Sequence, residues 1–224
     1  MSAAVSAAAP AVTASLSARD LTHRYSPRRG LERVSFELQG PRVAAVTGPN
    51  GSGKSTLLRI VAGLLRPSGG TCTLECGGRP IAPQARRDRI GLASPELSFY
   101  EELTAGENLM FAAAARGLDD ARGRVRRALE RVGLWARAGD RADALSSGMR
   151  QRLRLAFALL HEPPVLLLDE PGSHLDDDGR AMVARIVDEH RGRGLVLVAT
   201  NDEREWRLAE QAIHLRGRGL GDPA

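Results

Sequence analysis

The sequence is short of cysteine, aromatic residues, lysine and long apolar runs, and each shortage excludes something. Two cysteines, Cys72 and Cys76, are too few for a disulfide framework. Their i, i+4 spacing makes no complete metal site. On a strand over residues 71–76 both would face one side, so they read as two reduced thiols near a hairpin. Aromatic residues make up 4% of the chain. That excludes the basic-plus-aromatic platform of a single-strand nucleic-acid binder, although the net charge is +5 and the pI about 10.1. The arginines are scattered among acids, so the charge reads as an arginine-rich composition and no nucleic-acid partner is expected; nucleic acid is the alternative. No apolar run approaches the roughly 18–20 residues that span a bilayer, so a membrane role needs a partner. Residues 1–15, mostly Ala and Ser, lack the basic start and apolar core of a signal peptide. They read as a disordered tail on a cytosolic protein. His23, His161, His174, His190 and His214 show no ligand spacing.

The shortage of lysine points to what is present. Of the 32 Lys and Arg residues, one is lysine, Lys54. It lies in Gly48-Pro49-Asn50-Gly51-Ser52-Gly53-Lys54-Ser55-Thr56, which fits the phosphate-binding pattern G-x-x-x-x-G-K-[ST]. Glycines let backbone N–H groups curl around phosphates, the lysine reaches the β- and γ-phosphates, and the following hydroxyl holds Mg²⁺. Residues 43–47 ahead of it are apolar and strand-like. Leu57, Leu58, Ile60, Val61, Leu64 and Leu65 behind it recur at helical spacing. Strand, glycine loop and helix would set the phosphates on a helix N-terminus. Arg is a planar fork and Lys a compact point charge, so a tight phosphate loop tells them apart.

The rest of the chain is organised around this loop. Residues 17–37 read as strands with a turn at 26–30, with Leu21, Tyr25, Val34 and Phe36 as their apolar positions. Residues 71–76 followed by Gly77-Gly78 read as a hairpin, and residues 90–93 as a short strand. From residue 96 to about 144 the pattern is helical. Thr104 and Glu107 form a capping box, Gly117 ends the helix, and a second helix starts near Asp119 or Asp120 and ends at Gly133. Another helix opens near residue 146, with Met149, Leu153, Ala156, Phe157 and Leu160 on one stripe. Residues 165–168 and 195–199 are continuous apolar runs, as buried parallel strands are. A helix with Met182, Val183, Ile186 and Val187 lies between them, and residues 213–215 form a late strand. The expected organisation is a tail over 1–15 and one domain over 16–220, with a helical subdomain at about 96–150.

The run Val165-Leu166-Leu167-Leu168-Asp169-Glu170 is an apolar strand that ends in two carboxylates. In P-loop nucleotidases such an aspartate holds Mg²⁺ together with the loop hydroxyl, here Asp169 with Ser55. Glu170 stands where a carboxylate polarises the attacking water as general base. The third element is Leu145-Ser146-Ser147-Gly148-Met149-Arg150-Gln151, with Gly148 21 residues before Asp169. It resembles the LSGGQ signature of ABC-type ATPases, and the resemblance covers nearly the whole chain after the tail. Tyr25 resembles the aromatic residue that stacks on adenine. Ser173-His174-Leu175-Asp176 resembles the D-loop, and Glu101-Glu102-Leu103-Thr104 through Asn108-Leu109 the stretch that opens the helical subdomain.

The resemblance implies an α/β P-loop NTPase fold: an ABC-type ATPase core with a mainly parallel sheet, an N-terminal antiparallel β subdomain and a helical subdomain insertion. It implies a head-to-tail dimer, of two copies or of related ATPase subunits. ATP with Mg²⁺ would lie between Lys54 of one subunit and Ser146, Ser147 and Gly148 of the other. Hydrolysis would drive an integral membrane permease, which holds the ATPase on the inner face of the cell membrane.

Three positions depart from the family. Pro95 stands where a glutamine contacts Mg²⁺ and the membrane subunit, and its side chain has no oxygen to offer. Glu96 or Ser94 are the neighbours able to substitute. Asn201 stands where a histidine contacts the γ-phosphate; it hydrogen-bonds but carries no charge. Met149 replaces the signature glutamine. Two readings follow: an ATP-hydrolysing transporter subunit with Glu170 as base and Asn201 at the γ-phosphate, or a nucleotide-gated regulatory subunit with little turnover. A soluble ATPase acting on DNA or ribosomes would carry tandem domains or long insertions. The pairing of residues 94–109 with 168–176 and 199–202 resembles the haem-exporter type of cytochrome c maturation; exporters of drugs or polysaccharides are the alternative.

Overall fold

The computed structural model describes residues 13–26 and 29–216 of the 224. Two sheets share the chain. The first is antiparallel, in the order β2-β1-β4-β5, from β1 (Ala14–Ser26), β2 (Arg29–Gln39), β4 (Gly69–Cys76) and β5 (Arg79–Ile81). The second is parallel, in the order β6-β7-β8-β3-β9, from β3 (Arg42–Thr47), β6 (Ile90–Ala93), β7 (Val165–Asp169), β8 (Leu195–Ala199) and β9 (Gln211–His214). The glycine loop joins β3 to α1 (Lys54–Val61), which lies in the core between the two sheets.

Period-two geometry explains the unbroken apolar strands. Leu166 and Leu168 of β7, with Val196 and Val198 of β8, enter one core with the helices. Val165 and Leu167, with Leu195 and Leu197, enter the other, against α1 and the antiparallel sheet. Each strand is buried on both faces, so no polar alternation is possible there. Every residue of β7 and β8 is buried, Asp169 at the end of β7 included.

The helices α2 (Ala105–Ala115), α3 (Ala121–Arg131) and α4 (Ser147–Leu159) lie between β6 and β7 in sequence; α5 (Asp177–Arg191) joins β7 to β8, and α6 (Glu203–Trp206) follows β8. The capping box at α2 is present: the Glu107 amide donates to Thr104 Oγ1 at 3.1 Å, and the Thr104 amide donates to Glu107 Oε2 at 2.8 Å. Gly117 and Gly133 take the left-handed conformation after α2 and α3, with φ of 63° and 66°. Asp120 caps α3 and Ser146 caps α4.

Three expectations are corrected. Strand β1 starts at Ala14, which is wholly buried, so Ala14 and Ser15 belong to the sheet and not to the tail. Residues 1–12 lie outside the described residues, as do Pro27 and Arg28 of the expected turn. Helix α4 buries more than one stripe: Leu155, Ala158 and Leu159 are buried, while Met149 and Phe157 are only partly so. The late strand is Gln211–His214, two residues ahead of its expected start. Cys72 and Cys76 are free thiols and pack on the same core, as the strand period predicts. No helix among the described residues is long and apolar enough to cross a membrane.

Candidate nucleotide site

The loop after β3 has the backbone its glycines permit. Gly48 has φ of 148°, and a Cβ there would stand 2.5 Å from the Leu215 carbonyl oxygen. Gly53 has φ of 99° and is the N-cap of α1. Larger residues at either place would unwind the turn. Helix α1 begins at Lys54, so the loop presents the helix N-terminus and its free N–H groups.

Lys54 is 7% exposed. Its Nζ donates to the Gly48 carbonyl at 2.9 Å, to the Pro49 carbonyl at 3.5 Å and to Asn201 Oδ1 at 3.0 Å. Asn201 Nδ2 in turn donates to Asn50 Oδ1 at 2.6 Å. Asn201, from the loop after β8, therefore bridges both ends of the glycine loop. All of these acceptors are neutral, so the ammonium has no counter-ion among its hydrogen-bond partners, and an anion in the loop would draw it.

A cavity of about 500 Å³ opens beside the loop, lined by Tyr25, Lys54, Ser55, Thr56, Glu96 and Glu170 among others. Tyr25 is 45% exposed and meets His23 edge to face at 4.5 Å. Its exposed ring lines the cavity and offers a face on which a flat base could stack. Asp169 is 3% exposed, and its Oδ1 is buried with no hydrogen-bond partner. Burial pushes the Asp169 carboxyl up, against the Ser55 hydroxyl bonded to it; the Glu96 charge raises it further and Lys54 lowers it. A buried orphan carboxylate oxygen beside a hydroxyl and an anion loop fits a divalent cation. Among the described residues no three His, Cys, Asp or Glu side chains are grouped to hold a metal. Two protein ligands, Ser55 and Asp169, suit Mg²⁺, which keeps several waters and shares phosphate oxygens.

Glu170 sits in a strained turn with φ of 48°. Its amide donates to the Ala199 carbonyl at 2.8 Å, which ties the turn to the end of β8. Burial pushes its carboxyl up, Lys54 pulls it down, and Glu205 and Asp169 push it up. From the other side Gln151 Nε2, on buried α4, donates to the Pro171 carbonyl at 3.1 Å. The nucleotide-side residues thus converge, but Ser146, Ser147 and Gly148 do not line the cavity. They stand at the start of α4 against the D-loop: a Cβ on Gly148 would meet the His174 carbonyl at 2.9 Å. Pro95 does not line the cavity either, and its neighbour Glu96 does. Arg59 holds Glu96 at 3.0 Å. Arg59 and Glu205 were not singled out from the sequence, since Glu96 and Gly172 lie far along the chain from them. Gln151, though inside the signature stretch, carried no role there because its partner Pro171 is 20 residues on.

Comparison with known proteins follows the same outline. The family model described as ABC transporter matches residues 31–173. The linearmycin resistance ATP-binding protein LnrL of Bacillus subtilis is 33% identical over 83% of this chain. The cytochrome c biogenesis ATP-binding export protein CcmA of Rhodopseudomonas palustris is 36% identical over 88% of this chain. The chain spans 99% of CcmA but 60% of LnrL and 62% of a second Bacillus relative. Among solved structures, a dimeric ATP-binding cassette in a post-hydrolysis state with ADP and phosphate superposes with a TM-score of 0.79. It is 25% identical and covers 91% of this chain, which covers 97% of it. With its glycine loop, its Asp169–Glu170 strand end and its signature helix in family order, the chain belongs to the ABC transporter family as an ATP-binding cassette.

Proposed function

We propose that the chain is the ATP-hydrolysing subunit of an ABC transporter, working as a head-to-tail dimer that drives a separate integral membrane permease. The observation that carries the dimer is the split between the cavity and the signature. Lys54, Ser55 and Glu170 line the cavity, while Ser146 to Gly148 of the same chain, at the start of α4, do not. A second copy would bring its own helix start, with free N–H groups, to the γ-phosphate side.

In this reading the amides of Asn50 to Thr56 cradle the phosphates, and Tyr25 supports the base. The Lys54 ammonium leaves Asn201 for the β- and γ-oxygens, and Asn201 then donates its amide hydrogen to the γ-phosphate. Ser55 and Asp169 would hold Mg²⁺, which would supply neutralisation of the phosphate charge. Glu170 accepts the proton of the attacking water. Burial raises its pKa, which makes the ionised carboxylate a stronger proton acceptor. Permease attachment places the chain on the cytoplasmic face of the membrane.

Steady-state phosphate release tests the reading. Wild type is expected to hydrolyse Mg-ATP, and Glu170→Gln to lose roughly a hundredfold or more in kcat with little change in KM. No release from wild type, with its permease present, would support the nucleotide-gated regulatory reading, which Pro95 and Asn201 favour. For the cargo we propose haem export in cytochrome c maturation, supported by the near-complete span of CcmA. Disrupting the gene should then abolish covalent haem in c-type cytochromes. Normal cytochromes would return the assignment to a general exporter, as the likeness to LnrL suggests.

A further inference from the structure

A buried carboxylate stands behind the Glu170 turn. Glu205, in α6, is 8% exposed. Its Oε1 lies so close to Gly172 that a Cβ there would be 2.2 Å away. Burial pushes the Glu205 carboxyl up; the Thr200 hydroxyl and the Gly172 backbone N–H, which both donate to it, pull it down, the Asp202 charge pushes it up and Arg180 pulls it down. Gly172 is two residues after Glu170, and Thr200 immediately precedes Asn201. Thr200 is 1% exposed, and its hydroxyl oxygen also accepts from the Asp202 amide at 2.9 Å. One side chain thus holds the segment that carries Glu170 and the segment that carries Asn201.

Burying a carboxylate costs several kcal/mol unless its oxygens are bonded. An apolar residue would fill the same space without that cost but could not accept from two segments at once. Gly172 must also be glycine for the contact to form: the carboxylate occupies the place of a side chain.

We infer that Glu205 is a positioning residue that locks the Glu170 turn to the Asn201 loop, so that the general base and the phosphate-contacting amide keep a fixed separation during hydrolysis. The inference rests on the ATPase reading above. Glu205 does not line the cavity and touches no reacting atom.

Glu205→Ala and Glu205→Gln separate this role from a merely structural one. The alanine variant should lose roughly ten- to a hundredfold in kcat, because small misplacements of reacting groups cost that much. KM for ATP should stay within about twofold. The glutamine variant keeps an acceptor of the same length and should recover most of the loss. A second readout does not need turnover. In a Trp135→Phe background, Trp206 is the remaining tryptophan and lines the cavity formed by Gly48, Pro49, Thr200 and Asn201. Its acrylamide quenching should rise in the alanine variant and return in the glutamine variant. An alanine variant with wild-type kcat and unchanged quenching would overturn the inference, as would a loss of kcat matched by an equal rise in KM. If wild type releases no phosphate the ATPase reading fails, and Trp206 quenching alone then decides whether Glu205 ties the two segments.

Discussion

Lys54 is the residue on which most of the site's electrostatics turn. Its ammonium fits among three loop oxygens at 2.9 to 3.5 Å, and 7% of the residue is exposed. A guanidinium is planar, wider and carries its charge over three nitrogens, so it cannot occupy the same hollow. Lys54→Arg is expected to weaken ATP binding about tenfold or more despite the kept charge. Equilibrium binding of a fluorescent ATP analogue measures this, and unchanged affinity would show that the loop tolerates any cation. The residues of the glycine loop were legible in the sequence because phosphate chemistry fixes both their type and their offset. Glu96, Gln151 and Glu205 were not fixed in this way. Gln151 supports a turn 20 residues on, and Glu205 closes on Gly172 only after β8 and α6 are in place. Glu96 and Ser94 were equal candidates beside Pro95 in the sequence; Glu96 lines the cavity and Ser94 does not.

At the scale of elements, continuous apolar runs gave β7 and β8 directly, because a strand buried on both faces has no polar positions to interrupt it. Helix α4 was harder for the same reason: a helix buried on more than one face has no single stripe. Helix α6 spans four residues, too few for any period to show. Two histidines, His190 buried and His161 half-buried, follow from how these elements meet. His161 lies just after α4, and His190 is in the last turn of α5, both beside the Pro163-Pro164 approach to β7. Burial lowers each from the ordinary 6.5 to about 4, with Arg116 adding to the effect at His161 and Arg131 at His190. The folded state therefore holds them neutral, while the unfolded chain takes up protons below 6.5. Their contribution to stability is fully present above that pH and is lost as pH falls toward 4. The melting temperature should drop across this window, and His190→Gln should flatten the drop. An equally steep fall in that variant would remove His190 from the account.

For the whole molecule, the two-sheet cassette was legible from element order and family motifs, but its incompleteness was not readable from spacing alone. The resemblance implied a second subunit; in the fold, Ser146 to Gly148 do not line the cavity of their own chain and Gly148 packs against the His174 carbonyl. In the proposed dimer, an ATP held by Lys54 and Ser55 would have its γ-phosphate side open until another α4 N-terminus arrived. Nucleotide would then act as the adhesive between two copies, and hydrolysis by Glu170 as the release. A mass measurement on the arrested form bears on this most directly. Sedimentation velocity of Glu170→Gln should show a monomer of 24.0 kDa without nucleotide. With Mg-ATP it should show a species of twice that mass, which Ser146→Arg abolishes. A protein that binds Mg-ATP with unchanged affinity yet stays monomeric at every concentration would contradict the shared site.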